Sequence, residues 1–123
     1  MKRNKQKVIV ACDVDGTLVR LVPEGTTNSI QIVSPYSGTP RYYVVHNEHV
    51  ELLRQYKGRG FYNHVWSANG EEHAYSVVVA LGLDDGTVDE TSAKPMKHID
   101  DKSDVASVTG AHVFIPEEGF DVI

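Results

Sequence analysis

Val8-Ile9-Val10-Ala11-Cys12-Asp13-Val14-Asp15-Gly16-Thr17-Leu18 is the stretch that decides the fold. Its apolar half is short, rich in β-branched residues and bounded by Asp and Gly, which favours a buried strand over a helix. Two carboxylates therefore follow the carboxyl end of a strand, where open α/β sheets bind their ligands. The stretch predicts an acidic active site at the edge of a sheet.

Two other interpretations of Asp13 and Asp15 remain open on these residues alone. A calcium-binding loop needs oxygen ligands at alternate positions and a glycine at position six, whereas Gly16 falls at position four. A plain Asp-Gly turn is the commonest fate of such a dipeptide. Polar residues after later strands, in a fixed order, would distinguish an active site from both.

A second apolar segment, Phe61 to Trp66, also ends in polar residues, Ser67-Ala68-Asn69. The pattern predicts a helix over 70–81, with Asn69 as its N-cap and Glu72 completing a capping box. The buried stripe of this helix is predicted to be Ala74, Val77, Val78 and Leu81, and Gly82 ends it. Free backbone N–H groups at such a junction suit a phosphoryl oxygen, although an isolated serine more often only caps or turns.

Further along the chain, Ala93-Lys94-Pro95 is followed by His98-Ile99-Asp100-Asp101. The strand expected before the acidic pair carries only two apolar residues, so a short strand or one towards the sheet edge is predicted. An exposed lysine and a turn or helix cap are the alternatives for these residues. Asp104 is a further acidic candidate, because it lies one helical turn after Asp100.

These segments together resemble the haloacid dehalogenase (HAD) superfamily over residues 8–115. Asp13 to Leu18 fits its first motif, Asp-x-Asp-x-Thr-Leu, and Ser67 fits the second-motif Ser/Thr. Lys94-Pro95 and the acidic pair Asp100-Asp101 resemble the third and fourth motifs. The resemblance implies an α/β, HAD-like Rossmannoid three-layer sandwich with a mostly parallel central sheet and no large cap domain.

The resemblance also implies a magnesium-dependent phosphomonoester hydrolase that forms an aspartyl-phosphate. Asp13 would be the nucleophile, Asp15 the general acid and base, and Ser67 and Lys94 would bind the phosphoryl group. The remaining implied phosphate or substrate contacts are Gly16, Thr17, Ala68, Asn69 and Arg41, and the implied Mg²⁺ ligands are Asp13, Asp15 and Asp100 or Asp101. A catalytically silent protein that binds metal, a phosphorylated ligand or a partner is the alternative.

Residues 20–45, between the first motif and the next helix, are predicted to contain a β-hairpin formed by 29–34 and 41–45. Capless HAD proteins resemble this in carrying a β-hairpin flap over the site. Tyr36, Arg41, Tyr42 and Tyr43 are then candidate substrate contacts, and the alternative is that the tyrosines pack against the hairpin's own core face. A homodimer that covers the site through this surface is a further hypothesis.

Composition predicts one soluble domain over residues 1–123, with 1–7 as a flexible basic arm. The net charge of -5 argues against general nucleic-acid binding, and the lack of a long apolar run argues against a membrane span and for a cytoplasmic protein. Cys12 is the only cysteine and is expected to be a buried thiol. His46 and His49 are interpreted as surface or capping residues rather than metal ligands.

The predicted elements alternate along the chain. Strands are expected near 8–12, 61–66, 96–100 and 111–115, and helices near 47–57, 70–81 and 102–107. Such alternation predicts a mostly parallel sheet with helices on both of its faces.

Overall fold

The computed structural model describes residues 8–35, 37–94 and 112–115. Its elements in chain order are β1 (Ile9–Asp13), β2 (Val19–Val22), β3 (Ser29–Val33), β4 (Pro40–Val45), α1 (Asn47–Gly58), β5 (Tyr62–Ser67), α2 (Glu71–Ala80), β6 (Glu90–Ala93) and β7 (His112–Phe114). The predictions for the basic arm, Tyr36, the strand at 96–100, the helix at 102–107 and the acidic residues Asp100, Asp101 and Asp104 lie outside the described residues.

The main sheet is parallel, with the strand order β6-β5-β1-β7. It confirms the α/β class and the strands predicted near 8–12, 61–66 and 111–115. Strand β6 was not predicted, because Glu90-Thr91-Ser92-Ala93 has neither an apolar run nor an apolar alternation. Backbone pairing with β5, rather than an apolar pattern of its own, keeps this segment extended.

Both described helices pack against the same face of the main sheet. Val10 and Cys12 of β1 and Val65 of β5 point to one side, and they share a buried cluster with Leu53 of α1 and Val77 of α2. The described residues thus place helices on one face only, and the third predicted helix lies outside them. Neither described helix combines the length and the apolar character that crossing a membrane requires.

An antiparallel sheet with the order β2-β4-β3, called the flap sheet here, lies between β1 and α1 in the chain. The predicted hairpin of β3 and β4 is confirmed. The segment before it, for which no strand is predicted, contributes the third strand β2, because Val19 is fully buried and pairs with Val45. Ile32 and Tyr43 belong to the buried cluster, so the flap sheet packs against the main core.

The amino terminus of α1 is tied to the loop that follows β1. His46 is the N-cap, and its Nδ1 accepts a hydrogen bond from the His49 backbone N–H at 3.1 Å. The His49 ring in turn contacts the Thr17 carbonyl oxygen through Nδ1 at 2.8 Å. The capping interpretation is confirmed for His46, and the surface interpretation is wrong, since both side chains are buried.

Replacing Leu53 by Ala is expected to lower the free energy of unfolding by about 2–5 kcal/mol, because the fully buried side chain joins α1 to the sheet and its loss leaves a cavity. Urea denaturation measures the change. Glu51→Ala, at an exposed position of the same helix, is the control and should leave stability within about 0.5 kcal/mol. Equal effects of the two substitutions would contradict the packing described.

Candidate active site

The carboxyl ends of β1, β5 and β6 bring three predicted site residues together. Asp13 is the last residue of β1, Ser67 is the last of β5, and Lys94 directly follows β6. The Lys94 ammonium group contacts Asp13 Oδ2 at 3.1 Å, and the Lys94 backbone N–H donates to the Ser67 carbonyl oxygen at 2.8 Å. The site therefore pairs a carboxylate and a cation at the sheet edge, as parallel strand ends allow.

The second acid stands away from the strand because the chain turns tightly after β1. The Val14 carbonyl oxygen accepts from the backbone N–H groups of Thr17, Leu18 and Val19, and the Gly16 N–H donates to the Val19 carbonyl. Gly16 has a φ of 89°, a conformation that other residues adopt with strain. This turn leaves the Asp15 side chain 40% exposed, whereas that of Asp13 is 17% exposed.

Three side chains hold the Asp15 carboxylate. Asn69 Nδ2 donates to Oδ2 at 2.9 Å, Ser67 Oγ contacts the same oxygen at 3.5 Å, and His73 Nε2 contacts Oδ1 at 3.3 Å. The predicted residues Asp15, Ser67 and Asn69 thus share one hydrogen-bonded group. These contacts hold the Asp15 carboxylate on the side that faces α2, and its opposite side is open to solvent.

The predicted capping box of α2 is wrong. The helix begins at Glu71, its N-cap is Gly70, and no side chain caps it. The Asn69 amide is directed to Asp15 instead, while the Asn69 backbone N–H donates to Ser67 Oγ at 2.9 Å. An Asn caps a helix only when its side-chain oxygen can turn to the first backbone N–H groups of that helix. Here the hydrogen bond from Asn69 Nδ2 to the Asp15 carboxylate holds the side chain elsewhere.

His73 is a site residue that the sequence analysis missed. Its side chain is fully buried, and its Nδ1 lies 2.9 Å from Ser34 Oγ at the end of β3. A neutral imidazole that donates from Nε2 to Asp15 accepts at Nδ1 from the Ser34 hydroxyl. The available signal was a titratable residue directly before Ala74, on the otherwise apolar stripe of α2.

Two buried oxygens of the first motif have no hydrogen-bond partner among the described residues, Asp13 Oδ1 and Thr17 Oγ1. A buried carboxylate oxygen without a donor suits a hard cation, which prefers oxygen ligands. Within 8–35, 37–94 and 112–115, no three His, Cys, Asp or Glu side chains form a metal-binding group. The further implied ligands, Asp100 and Asp101, are outside these ranges.

A cleft of about 350 Å³ opens between the site and the flap sheet, and it is called the flap cleft here. Asp15, Gly16 and Asn69 line one side, and Arg20, Arg41 and Tyr43 line the other. Arg41 and Tyr43, predicted as substrate contacts, therefore border the site, although Tyr43 is also largely buried in the core. Tyr42 lines a neighbouring cleft, and Ala68 is an exposed loop residue.

No protein-family model matches this chain, and no curated protein matches it either. The fold and the site define an α/β protein with an acidic, lysine-containing centre at the carboxyl edge of a parallel sheet. Any functional assignment therefore depends on the geometry of this centre.

The Cys12 thiol is predicted not to react with an aromatic disulfide reagent at mildly alkaline pH while the protein is folded. Burial, and secondly the negative charge of Asp13, raise the pKa of this thiol well above its ordinary value, so thiolate is scarce. Absorbance of the released thiol, with and without guanidinium, measures the reaction. Comparable rates in both conditions would contradict the burial of Cys12, and Cys12→Ser gives the background.

Proposed function

We propose that this protein is a phosphomonoester hydrolase of the HAD type, acting through an aspartyl-phosphate. The observation that carries the proposal is the convergence of Asp13, Lys94 and Ser67 at three strand ends, with Asp15 two residues after Asp13. A nucleophilic carboxylate, a general acid beside it and a cation for the phosphoryl charge are the groups that this reaction needs. The order of the motifs in the sequence supports the same reaction.

In the first step, a carboxylate oxygen of Asp13 forms a bond to phosphorus while the bond from phosphorus to the leaving oxygen breaks. Asp15 donates its proton to that oxygen, so the alcohol departs neutral. In the second step, Asp15 takes a proton from water as the water oxygen attacks phosphorus. The Asp13 carboxylate is released and phosphate is the product, which returns both acids to their starting states.

Lys94 and Ser67 provide the electrostatic part of this mechanism. Lys94 Nζ, at 3.1 Å from Asp13 Oδ2, can contact both the nucleophile and a phosphoryl oxygen in front of it. The Ser67 hydroxyl lies between Asp15 and the Asn69 N–H. From this position it can rotate to donate its proton to an oxygen of the phosphoryl group. Preorganised donors of this kind stabilise the charge that develops in the transition state.

The resemblance further implies Mg²⁺, and the buried, partnerless Asp13 Oδ1 fits a cation ligand. Asp13, the backbone carbonyl of Asp15 and either Asp100 or Asp101 would hold the ion. When bound, it would offset the repulsion between an anionic nucleophile and a phosphate dianion.

His73 is proposed as a positioning residue for Asp15. It does not reach the reacting atoms, but its ring contacts Asp15 on one side and Ser34 of the flap sheet on the other. Its complete burial restricts the ring to one orientation, so the carboxylate that must give and take a proton has one favoured rotamer.

Asp13→Asn is expected to reduce phosphate release from a generic aryl phosphate to the buffer rate, because the amide cannot form the intermediate. Phosphate is assayed with Mg²⁺ and again with a chelator, which should also stop release. Asp84→Asn, an exposed acid outside the site, is the matched control and should retain the original rate. No release by the unmodified, folded protein over a broad ester panel would instead favour the catalytically silent binding role, and Mg²⁺ titration would test that.

His73→Leu is expected to lower kcat by about tenfold, since one hydrogen bond that positions Asp15 is lost. His73→Gln, whose amide nitrogen can occupy the position of Nε2, should recover part of that rate. Steady-state kinetics and urea denaturation of both variants separate positioning from stability. If kcat follows stability alone, with no recovery in the glutamine variant, His73 has only a structural role.

A further inference from the structure

The position of the general acid indicates where the leaving part of the substrate must lie. Asp15 can protonate the leaving oxygen only from hydrogen-bonding distance, so the leaving alcohol has to occupy space next to Asp15. Asp15 lines the flap cleft together with Gly16 and Asn69, whereas Asp13 is not among the residues that line it. The phosphoryl group then sits at Asp13, and the rest of the ester extends into the flap cleft.

The charged side chains of the flap cleft favour an anion. They are one carboxylate, Asp15, and two guanidinium groups, those of Arg20 and Arg41. The lining of the flap cleft thus contains more guanidinium groups than carboxylates, in a chain with a net charge of -5.

Arg41 is the better placed of the two arginines. It lies two residues before Tyr43 on β4, so both side chains project from the same face of the flap sheet. Tyr43 is 3% exposed and packs in the core, which identifies this face as the one turned towards the site. Arg41 is half-buried and borders the cleft just beyond the packed part of the flap sheet.

The space continues past Arg41. A second cleft of about 520 Å³ shares Leu21 and Arg41 with the flap cleft and is otherwise lined by Pro23, Pro40, Tyr42 and neighbouring residues. The charged residues that line it are Glu24 and Arg41, and Arg41 lies at the junction with the flap cleft. Both volumes are of the size of small-molecule sites, about 300–1,000 Å³.

We propose that the substrates are phosphate monoesters whose leaving alcohol carries a second oxyanion, a carboxylate or a phosphate, and that Arg41 binds it. This inference rests on the proposed phosphatase function. A guanidinium group binds either oxyanion through two parallel hydrogen bonds, and a neutral alcohol of the same size makes no such contact. Arg41 is accordingly a specificity-determining residue.

Three matched aryl esters test the proposal: phenyl phosphates with a para substituent of carboxymethyl, carbamoylmethyl or phosphonomethyl. The carbamoylmethyl ester is the neutral isostere, and the phosphonate cannot release phosphate from its second group. We expect kcat/KM for at least one anionic ester to exceed that for the amide by about tenfold, the size of one charge-assisted contact. The net charge of the protein would act against such a preference, so a preference reports a local site.

Arg41→Gln should bring the ratio of anionic to neutral kcat/KM close to one. Arg41→Lys keeps the charge without the bidentate geometry and should give an intermediate ratio, and it carries the test if the glutamine variant does not fold. Arg59→Gln is the control, because Arg59 lies over the Tyr56 and Phe61 rings and not in the flap cleft. That variant should keep the original ratio.

The possible failures are distinguishable. If the unmodified protein hydrolyses none of the three esters, the proposed function fails and this inference fails with it. If it hydrolyses all three at similar kcat/KM, the phosphatase function stands and the oxyanion site is overturned. A preference that persists in Arg41→Gln also overturns the assignment to Arg41. Comparison of the carboxylate and phosphonate esters identifies which oxyanion the site prefers.

Discussion

The parallel register that joins β1, β5 and β6 is the constraint on which the candidate site depends. Asp13 is paired with Trp66, and Ser67 is paired with Ala93, so the three chain segments leave the sheet at the same level. A shift of one residue in either pair would turn every side chain of the shifted strand to the opposite face. The fully buried Val65 opposes such a shift in β5, because it would be replaced in the core by His64 or by the larger Trp66. The hydrophobic core therefore sets the distances between the polar groups at the sheet edge.

The parts of the site that the sequence predicted are those that follow from strand ends. Apolar runs that stop at a polar residue locate Asp13 and Ser67 without knowledge of the packing. Strands β2 and β6 escaped prediction because their extended conformation comes from pairing with a neighbour, which a local pattern does not record. The role of His73 was not predicted for a related reason, since its two partners, Ser34 and Asp15, are distant in sequence. The cap assigned to Asn69 was wrong because a local rule was overridden by a distant carboxylate.

Hydrogen bonds connect the flap sheet to the rest of the molecule at two places. It is closed at its base by a hydrogen bond from the His46 N–H to the Leu18 carbonyl oxygen, so the chain enters and leaves the sheet at one point. Its second attachment is polar, from Ser34 through His73 to Asp15. Any displacement of β3 is therefore transmitted to Asp15 through two contacts, whereas Asp13 and Lys94 lie at or directly after the ends of main-sheet strands. Asp13 and Asp15 thus have separate mechanical supports.

The central place of β1 has a consequence for biosynthesis. Ile9 pairs with Tyr62 on one side and with His112 on the other, so both neighbours of β1 are made long after it. Contacts between such distant segments carry a large loop-closure entropy and form late in folding. During synthesis on the ribosome, β1 is therefore an apolar segment whose two edges are both unpaired. Chaperones protect segments of this kind from aggregation. The carboxylates of Asp13 and Asp15 meet Ser67, Asn69 and Lys94 only after β5 and β6 have been made.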